Sequence, residues 1–212
     1  MTEDARTIPA ALLRAARQFG DAEALVDGDV RLSFAQLLDH VRDAARYFIA
    51  TGVQPGEHVA IWSPNTYHWV VAALGAHYAG AAIVPINTRY TGHEARWILA
   101  KSRAKLVLID NGFLGNDYIA MLREGKPFSA DEPVGGLPDL REVISLDDGD
   151  YPATVPMSQF LQRAAQVSRA EVLTRADEIT ETDVSDMFFT SGTTGRPKGA
   201  ITNHAQNIRV YE

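Results

Sequence analysis

The stretch Phe188-Phe189-Thr190-Ser191-Gly192-Thr193-Thr194-Gly195-Arg196-Pro197-Lys198-Gly199-Ala200 carries the side chains best suited to chemistry. Its apolar start suits a buried strand. Thr190 to Gly195 are small or flexible, and Pro197 and Gly199 break any helix. Gly192 and Gly195 permit backbone angles and close approaches that a side chain would block. The hydroxyls of Thr190, Ser191, Thr193 and Thr194 add donors, and Lys198 adds a full positive charge. A loop that brings N–H groups, hydroxyls and a cation to one point is a cradle for a polyphosphate. A Gly/Thr-rich surface turn would need no lysine in register. The pattern is neither Gly-x-x-x-x-Gly-Lys-Ser/Thr, since Arg-Pro-Lys follows Gly195, nor Gly-x-Gly-x-x-Gly.

The elements that must hold this loop are legible on either side of it. Residues 186–189 and 199–202 read as two strands presenting the loop as a hairpin-like projection. Upstream, strands at 58–62, 81–85 and 105–109 alternate with helices at 66–78 and from Thr91 to about Lys101, where Thr91 and Glu94 form a capping box. Such alternation predicts βαβ units, hence an α/β fold with a mostly parallel sheet flanked by helices. Before it come a helix over 9–18 capped by Thr7, a hairpin turning at Asp27-Gly28-Asp29, and a helix to Ala50 opened by the Ser33/Gln36 capping box. Beyond residue 110, the pattern predicts a short helix at 118–123, a surface loop over 126–138, a strand at 140–146 and a helix at 157–166. Residues 169–186, rich in Glu, Asp and Thr, read as a solvated connector without the ligand spacing of a calcium loop. Residues 204–212 begin a helical pattern. The expected organisation is an α/β subdomain over 1–170, an acidic connector over 171–185, and strand, phosphate loop, strand and helix start over 186–212.

A chain of 212 residues buries roughly 70% of its unfolded surface, enough for a real core. The net charge of −7 and the lack of a basic run argue against nucleic acid as a partner. The absence of cysteine excludes disulfides, thiolate metal sites and a thioester on the protein itself, and fits a cytoplasmic setting. The polar start is no signal peptide, and the longest apolar run, 69–76, is too short for a transmembrane segment. Trp62, Trp69 and Trp97 sit in apolar periodic settings and read as packing residues. His58, His68, His77 and His93 are dispersed, without metal-ligand spacing.

Residues 190–199 resemble the phosphate-loop signature of the adenylate-forming (AMP-binding) superfamily, Ser/Thr-Ser/Thr-Gly-Thr-Thr-Gly-x-Pro-Lys-Gly, at each fixed place, with Arg196 in the variable one. The stretches 56–65 and 78–90 resemble the family's first core strand and its second recurring motif, and order and spacing agree from about residue 10 onward. Residues 62–71 and 87–90 resemble actinobacterial acyl-CoA synthetases, some of which act on fragments of sterol breakdown. The resemblance implies a ligase that uses ATP and Mg²⁺ to join a fatty or sterol-derived acid to coenzyme A through an acyl-adenylate. It implies that Thr190, Ser191, Gly192, Thr193, Thr194, Gly195 and Lys198 hold the β- and γ-phosphates, none acting as nucleophile or base. His204 would either cap the helix that begins there or approach the acyl site. The family's adenine-stacking Tyr-Gly-x-Thr-Glu segment, its ribose aspartate and its mobile-domain lysine have no counterpart here. The chain is therefore expected to be the N-terminal portion of a ligase, inactive alone, with catalytic residues beyond 212 and an apolar face free to self-associate. The alternatives are an acyl-AMP ligase, a peptide-synthetase adenylation domain, and a non-catalytic nucleotide- or partner-binding module.

Overall fold

A computed structural model describes residues 5–129, 131–190 and 197–210. Helix α1 (Ile8–Phe19) starts where the Thr7 hydroxyl accepts from the Ala10 amide and Pro9 occupies the first turn. Strands β1 (Glu23–Asp27) and β2 (Val30–Ser33) form the expected hairpin, with Gly28 at φ 55° in its tight turn. The Ser33/Gln36 capping box opens α2 (Phe34–Ala50). The alternating region follows as β3 (His58–Trp62), α3 (Tyr67–Tyr78), β4 (Ala82–Pro85), α4 (Gly92–Ser102), β5 (Leu106–Ile109) and α5 (Tyr118–Arg123). After the loop come β6 (Glu142–Ser145), β7 (Val155–Pro156), α6 (Met157–Gln162), α7 (Arg169–Glu178), β8 (Val184–Thr190), β9 (Lys198–Asn203) and α8 (His204–Arg209).

The main sheet runs β7-β6-β5-β3-β4-β8-β9, parallel except for the antiparallel β8–β9 pair at one edge. Its central strands are apolar throughout because both faces are covered. Alternation along β3 shows the division. Val59 and Ile61 enter a core with Phe48 of α2, Ala76 of α3, Phe160 of α6 and Val172 of α7. Ala60 and Trp62 enter a second core with Ile98 and Leu99 of α4 and Tyr118 and Leu122 of α5. Strand order reverses at β3. The chain leaves β3 for β4 on one side through α3, then returns through α4 to β5 on the other side.

Residues 171–185 are not wholly the solvated connector expected from composition. Most of them belong to α7, capped by the Ser168 hydroxyl and seated by Val172, which is fully buried. Arg175 ties this helix inward by donating to the Val53 and Ala79 carbonyls at 2.9 and 3.4 Å. The charged composition hid it because one residue per turn, Val172 then Ala176, is enough to dock a helix whose remaining surface is wet. The helix expected over 157–166 divides into α6 and a 3₁₀ turn at Arg163–Gln166, and β7 was not anticipated.

Close packing on the second face rests on Gly92, in the first turn of α4. Its backbone is ordinary helix, so nothing in its conformation demands glycine. A methyl group there would overlap the Met121 carbonyl of α5. Gly92→Ala is therefore expected to destabilise the fold by about 3 kcal/mol through overpacking. Denaturant titration checks this, and an unchanged midpoint would mean that α4 and α5 can separate freely.

Candidate functional site

The crevice at the carboxyl edge of the parallel strands, where strand order reverses, is where open α/β sheets bind ligands. Here it holds a cavity of about 470 Å³. Ser63, Asn65 and Trp69 wall it after β3, Asn87 and Thr88 after β4, and Phe113 after β5. Phe188 and Phe189 of β8 close the side nearest the loop. Aromatic walls with a few amides and hydroxyls suit a mainly apolar ligand. The wall after β4 is fixed from beneath. The Trp62 indole N–H donates to the Asn87 carbonyl at 3.1 Å, and the Tyr118 hydroxyl donates to that of Thr88 at 3.0 Å. The Trp62 and Tyr118 rings pack against each other tilted by 40°, with centroids 4.5 Å apart.

Because β8 runs parallel to β4, its last residue lies at the same edge as this cavity. Thr190 ends β8, Lys198 begins β9, and the two are register partners with exposed side chains. Of the loop residues singled out by sequence, the structure thus places Thr190 and Lys198 together beside the cavity. Ser191, Gly192, Thr193, Thr194 and Gly195 lie outside the described residues. Trp62 is core, as its setting predicted. Trp69 is half-buried and doubles as a cavity wall. Sequence reasoning missed that role, and the carboxyl-edge position of its helix is the signal that carries it. No group of three or more His, Asp or Glu among the described residues is placed to hold a metal ion.

His204 takes neither expected position. Asn203 caps α8, in a capping box with Gln206. β9 carries the chain six residues away from the loop, roughly 20 Å along a strand, before His204 is reached. There its Nδ1 accepts from the Ile8 amide of α1 at 3.3 Å, and its ring meets that of His77 edge-on, centroids 5.7 Å apart. His77 in turn lies 3.1 Å from the Ser185 carbonyl and 3.7 Å from the Asp186 carboxylate. Asn207 donates to the same carboxylate. Burial, with help from His77, pushes the His204 imidazole down to about 4, although Asp186 and Asp183 oppose this. Burial alone would raise Asp186, but contacts from His77, Ser185 and Asn207 hold it below the usual carboxylate range.

This cluster sets an acid sensitivity. Between about pH 6.5 and 4 the unfolded chain protonates His204 and the folded one does not, so stability falls as pH falls. The gap from the ordinary value corresponds to ~3 kcal/mol. Below that window the depressed Asp186 removes a further contribution as it protonates. Denaturant titrations from pH 7 to 4 are expected to show this loss, and His204→Asn, whose side-chain oxygen can take the place of Nδ1 as acceptor from Ile8 without titrating, is expected to flatten it. An equal slope in both proteins would place the sensitivity elsewhere.

A parallel sheet with an apolar crevice at its carboxyl edge, beside the Thr190–Lys198 end of the β8–β9 pair, defines a ligand-binding α/β domain. Residues 12–211 match the model of the AMP-binding enzyme family, and the chain belongs to that family. A 3-[(3aS,4S,7aS)-7a-methyl-1,5-dioxo-octahydro-1H-inden-4-yl]propanoyl:CoA ligase of Rhodococcus jostii (strain RHA1) is 48% identical over 213 residues, covering 100% of this chain and 40% of the relative. The protein of the same description in Mycobacterium tuberculosis (strain ATCC 25618 / H37Rv) is 44% identical, with 98% of this chain and 38% of the relative covered. The structure of a Mycobacterium tuberculosis fatty acyl CoA synthetase superposes with a TM-score of 0.73 at 26% identity, covering 94% of this chain and 35% of that one. The chain therefore spans about two fifths of the length of the curated relatives it matches. Among the described residues no helix is long and apolar enough to cross a membrane.

Proposed function

We propose that the protein carrying this chain is an ATP-dependent acid–CoA ligase, and that residues 190–199 hold the β- and γ-phosphates of ATP. The observation that carries this is the pairing of Thr190 with Lys198 at the sheet edge that also holds the apolar cavity. In the first step a carboxylate oxygen attacks the α-phosphorus, the bond from that phosphorus to the α,β-bridging oxygen breaks, and acyl-adenylate and pyrophosphate result. In the second, the thiol sulfur of coenzyme A attacks the acyl carbonyl, AMP departs and the thiol proton is released. Charge gathers on the departing pyrophosphate in the first step. Hydroxyls and amides of Thr190, Ser191, Gly192, Thr193, Thr194 and Gly195, with the Lys198 ammonium, would stabilise it. The family's chemistry implies Mg²⁺ on these phosphates. Among the described residues no group of three or more His, Asp or Glu is placed to hold it.

Two relatives are named as ligases of a propanoate bearing a fused bicyclic ring, and we take a ring-bearing or fatty acid as the substrate class. Acid-dependent exchange of pyrophosphate into ATP, measured on the full natural protein, tests the reading. Fatty, aromatic and ring-bearing propanoic acids form the panel. Exchange with one class establishes adenylation and names that class. No exchange with any acid would overturn the ligase reading in favour of a nucleotide- or partner-binding module.

A further inference from the structure

Two aromatic donors meet backbone carbonyls at the stem of the loop. The Tyr90 hydroxyl donates to the Phe189 carbonyl at 3.0 Å. The Trp97 indole N–H donates to the Pro197 carbonyl at 3.3 Å. Phe189 immediately precedes Thr190, and Pro197 immediately precedes Lys198. The contacts thus fall one residue before each member of the pair that faces the site. Neither belongs to the β8–β9 ladder, and each links the stem to a segment about a hundred residues earlier.

Both donors sit on one rigid bracket. Between them the Thr91 hydroxyl accepts from the Glu94 amide at 3.3 Å, while the Glu94 carboxylate accepts from the Thr91 amide at 2.8 Å. This capping box fixes how the turn bearing Tyr90 enters the helix bearing Trp97. Gly92 seats the same helix against α5. Apolar packing alone would be served as well by phenylalanine at either place. A hydroxyl and an indole N–H add direction, because each satisfies one carbonyl at one angle.

We propose that Tyr90 and Trp97 are positioning residues for nucleotide handling. Together they fix the two ends of the loop stem, and through it the poses of Thr190 and Lys198 toward a bound polyphosphate. The proposal rests on the phosphate-loop reading of residues 190–199. Their effect reaches the phosphates through the stem, without contact to the reacting atoms. Geometry has large leverage on such a step, since a displacement of about 1 Å can cost on the order of 10²-fold.

The test is pyrophosphate exchange by the full natural protein with ATP and acid varied separately, in Tyr90→Phe, Trp97→Phe and the double variant. Each single change is expected to lower kcat/KM for ATP about 10-fold, and the double more, while KM for the acid and the thermal midpoint stay at wild-type values. Tyr78→Phe is the control. It forfeits an equivalent bond, from the Tyr78 hydroxyl to the Pro9 carbonyl at 3.1 Å, within the core on the other face of the sheet. It is expected to leave the ATP parameters unchanged. Unaltered ATP parameters in both single variants, with Lys198→Ala still impaired, would overturn the positioning role alone. ATP and acid parameters falling together with the thermal midpoint would overturn it too, by showing a merely structural contact. Exchange by Lys198→Ala equal to wild type at limiting as well as saturating ATP would bring down the phosphate-loop reading and this proposal with it.

Discussion

Lys198→Ala is expected to lower acid-dependent pyrophosphate exchange on the order of 10²-fold or more, with little change in stability. The two halves of that expectation come from separate observations. The side chain is exposed at the first position of β9, so among the described residues its removal opens no cavity and strands no buried partner. Exposed substitutions of this kind usually stay within about 0.5 kcal/mol. Lys198 is nevertheless the register partner of Thr190, at the sheet edge that holds the cavity, where the proposed reaction would gather charge on a departing pyrophosphate. An interaction that strengthens as the bond breaks lowers kcat, whereas one equally strong throughout appears only in KM. The decisive measurement is therefore exchange at saturating ATP. Lys198→Arg restores the charge on a planar fork rather than a compact head, and partial recovery is expected. If Lys198→Ala exchanges like wild type at saturating ATP, the lysine holds no charge that matters in the transition state, and the loop's role is binding at most.

The fold was legible wherever a local signal and the tertiary environment agreed. The capping boxes at Ser33/Gln36 and Thr91/Glu94 open α2 and α4 as read, because a cap is a contact between residues three apart and needs no distant information. The apolar runs of β3, β4 and β5 announced a sheet buried on both faces for a similar reason. Reading failed where a few contacts at long range decide the outcome. α7 is charged along most of its length, and its docking depends on Val172 and on Arg175 reaching the carbonyls of residues 53 and 79. His204 adjoins the loop in the chain but not in space, because β9 lies between. Its partner, the Ile8 amide, is 196 residues away in the sequence. At the candidate site, the expectation of phosphate rests on the loop's composition alone. The cavity beside it did not speak at all, since its walls are ordinary apolar and amide residues gathered from four separate strands' ends. The same holds for Tyr90 and Trp97, whose hydrogen bonds depend on where β8 and β9 come to rest.

Trp62 carries the other large effect. It is fully buried at the end of β3, packed against the tilted Tyr118 ring, and its indole N–H donates to the Asn87 carbonyl in the cavity wall. Truncation to alanine is expected to cost about 3–5 kcal/mol, the range for emptying a large aromatic site in a packed core. In a domain of this size that lowers the thermal midpoint by roughly 10 °C or more. Stability alone would not separate the packing role from the donor role, and Trp62→Phe does. Phenylalanine keeps most of the ring against Tyr118 but removes the indole donor from the Asn87 carbonyl, which then accepts from the Tyr90 amide alone, a loss of about 1 kcal/mol. If the donor fixes the wall, Trp62→Phe should raise KM for whichever substrate occupies the cavity while remaining folded at assay temperature. The Tyr118 hydroxyl on Thr88 is the second support of the same wall. Tyr118→Phe should shift the same KM in the same direction, and the double variant should exceed the sum of the two, since either bond can still hold the turn when the other is lost. A strictly additive pair would mean that the wall is held by its own backbone. Trp62→Ala that unfolds within about 1 kcal/mol of wild type would mean that the two cores can close over the gap, against the close packing from which this cost is argued.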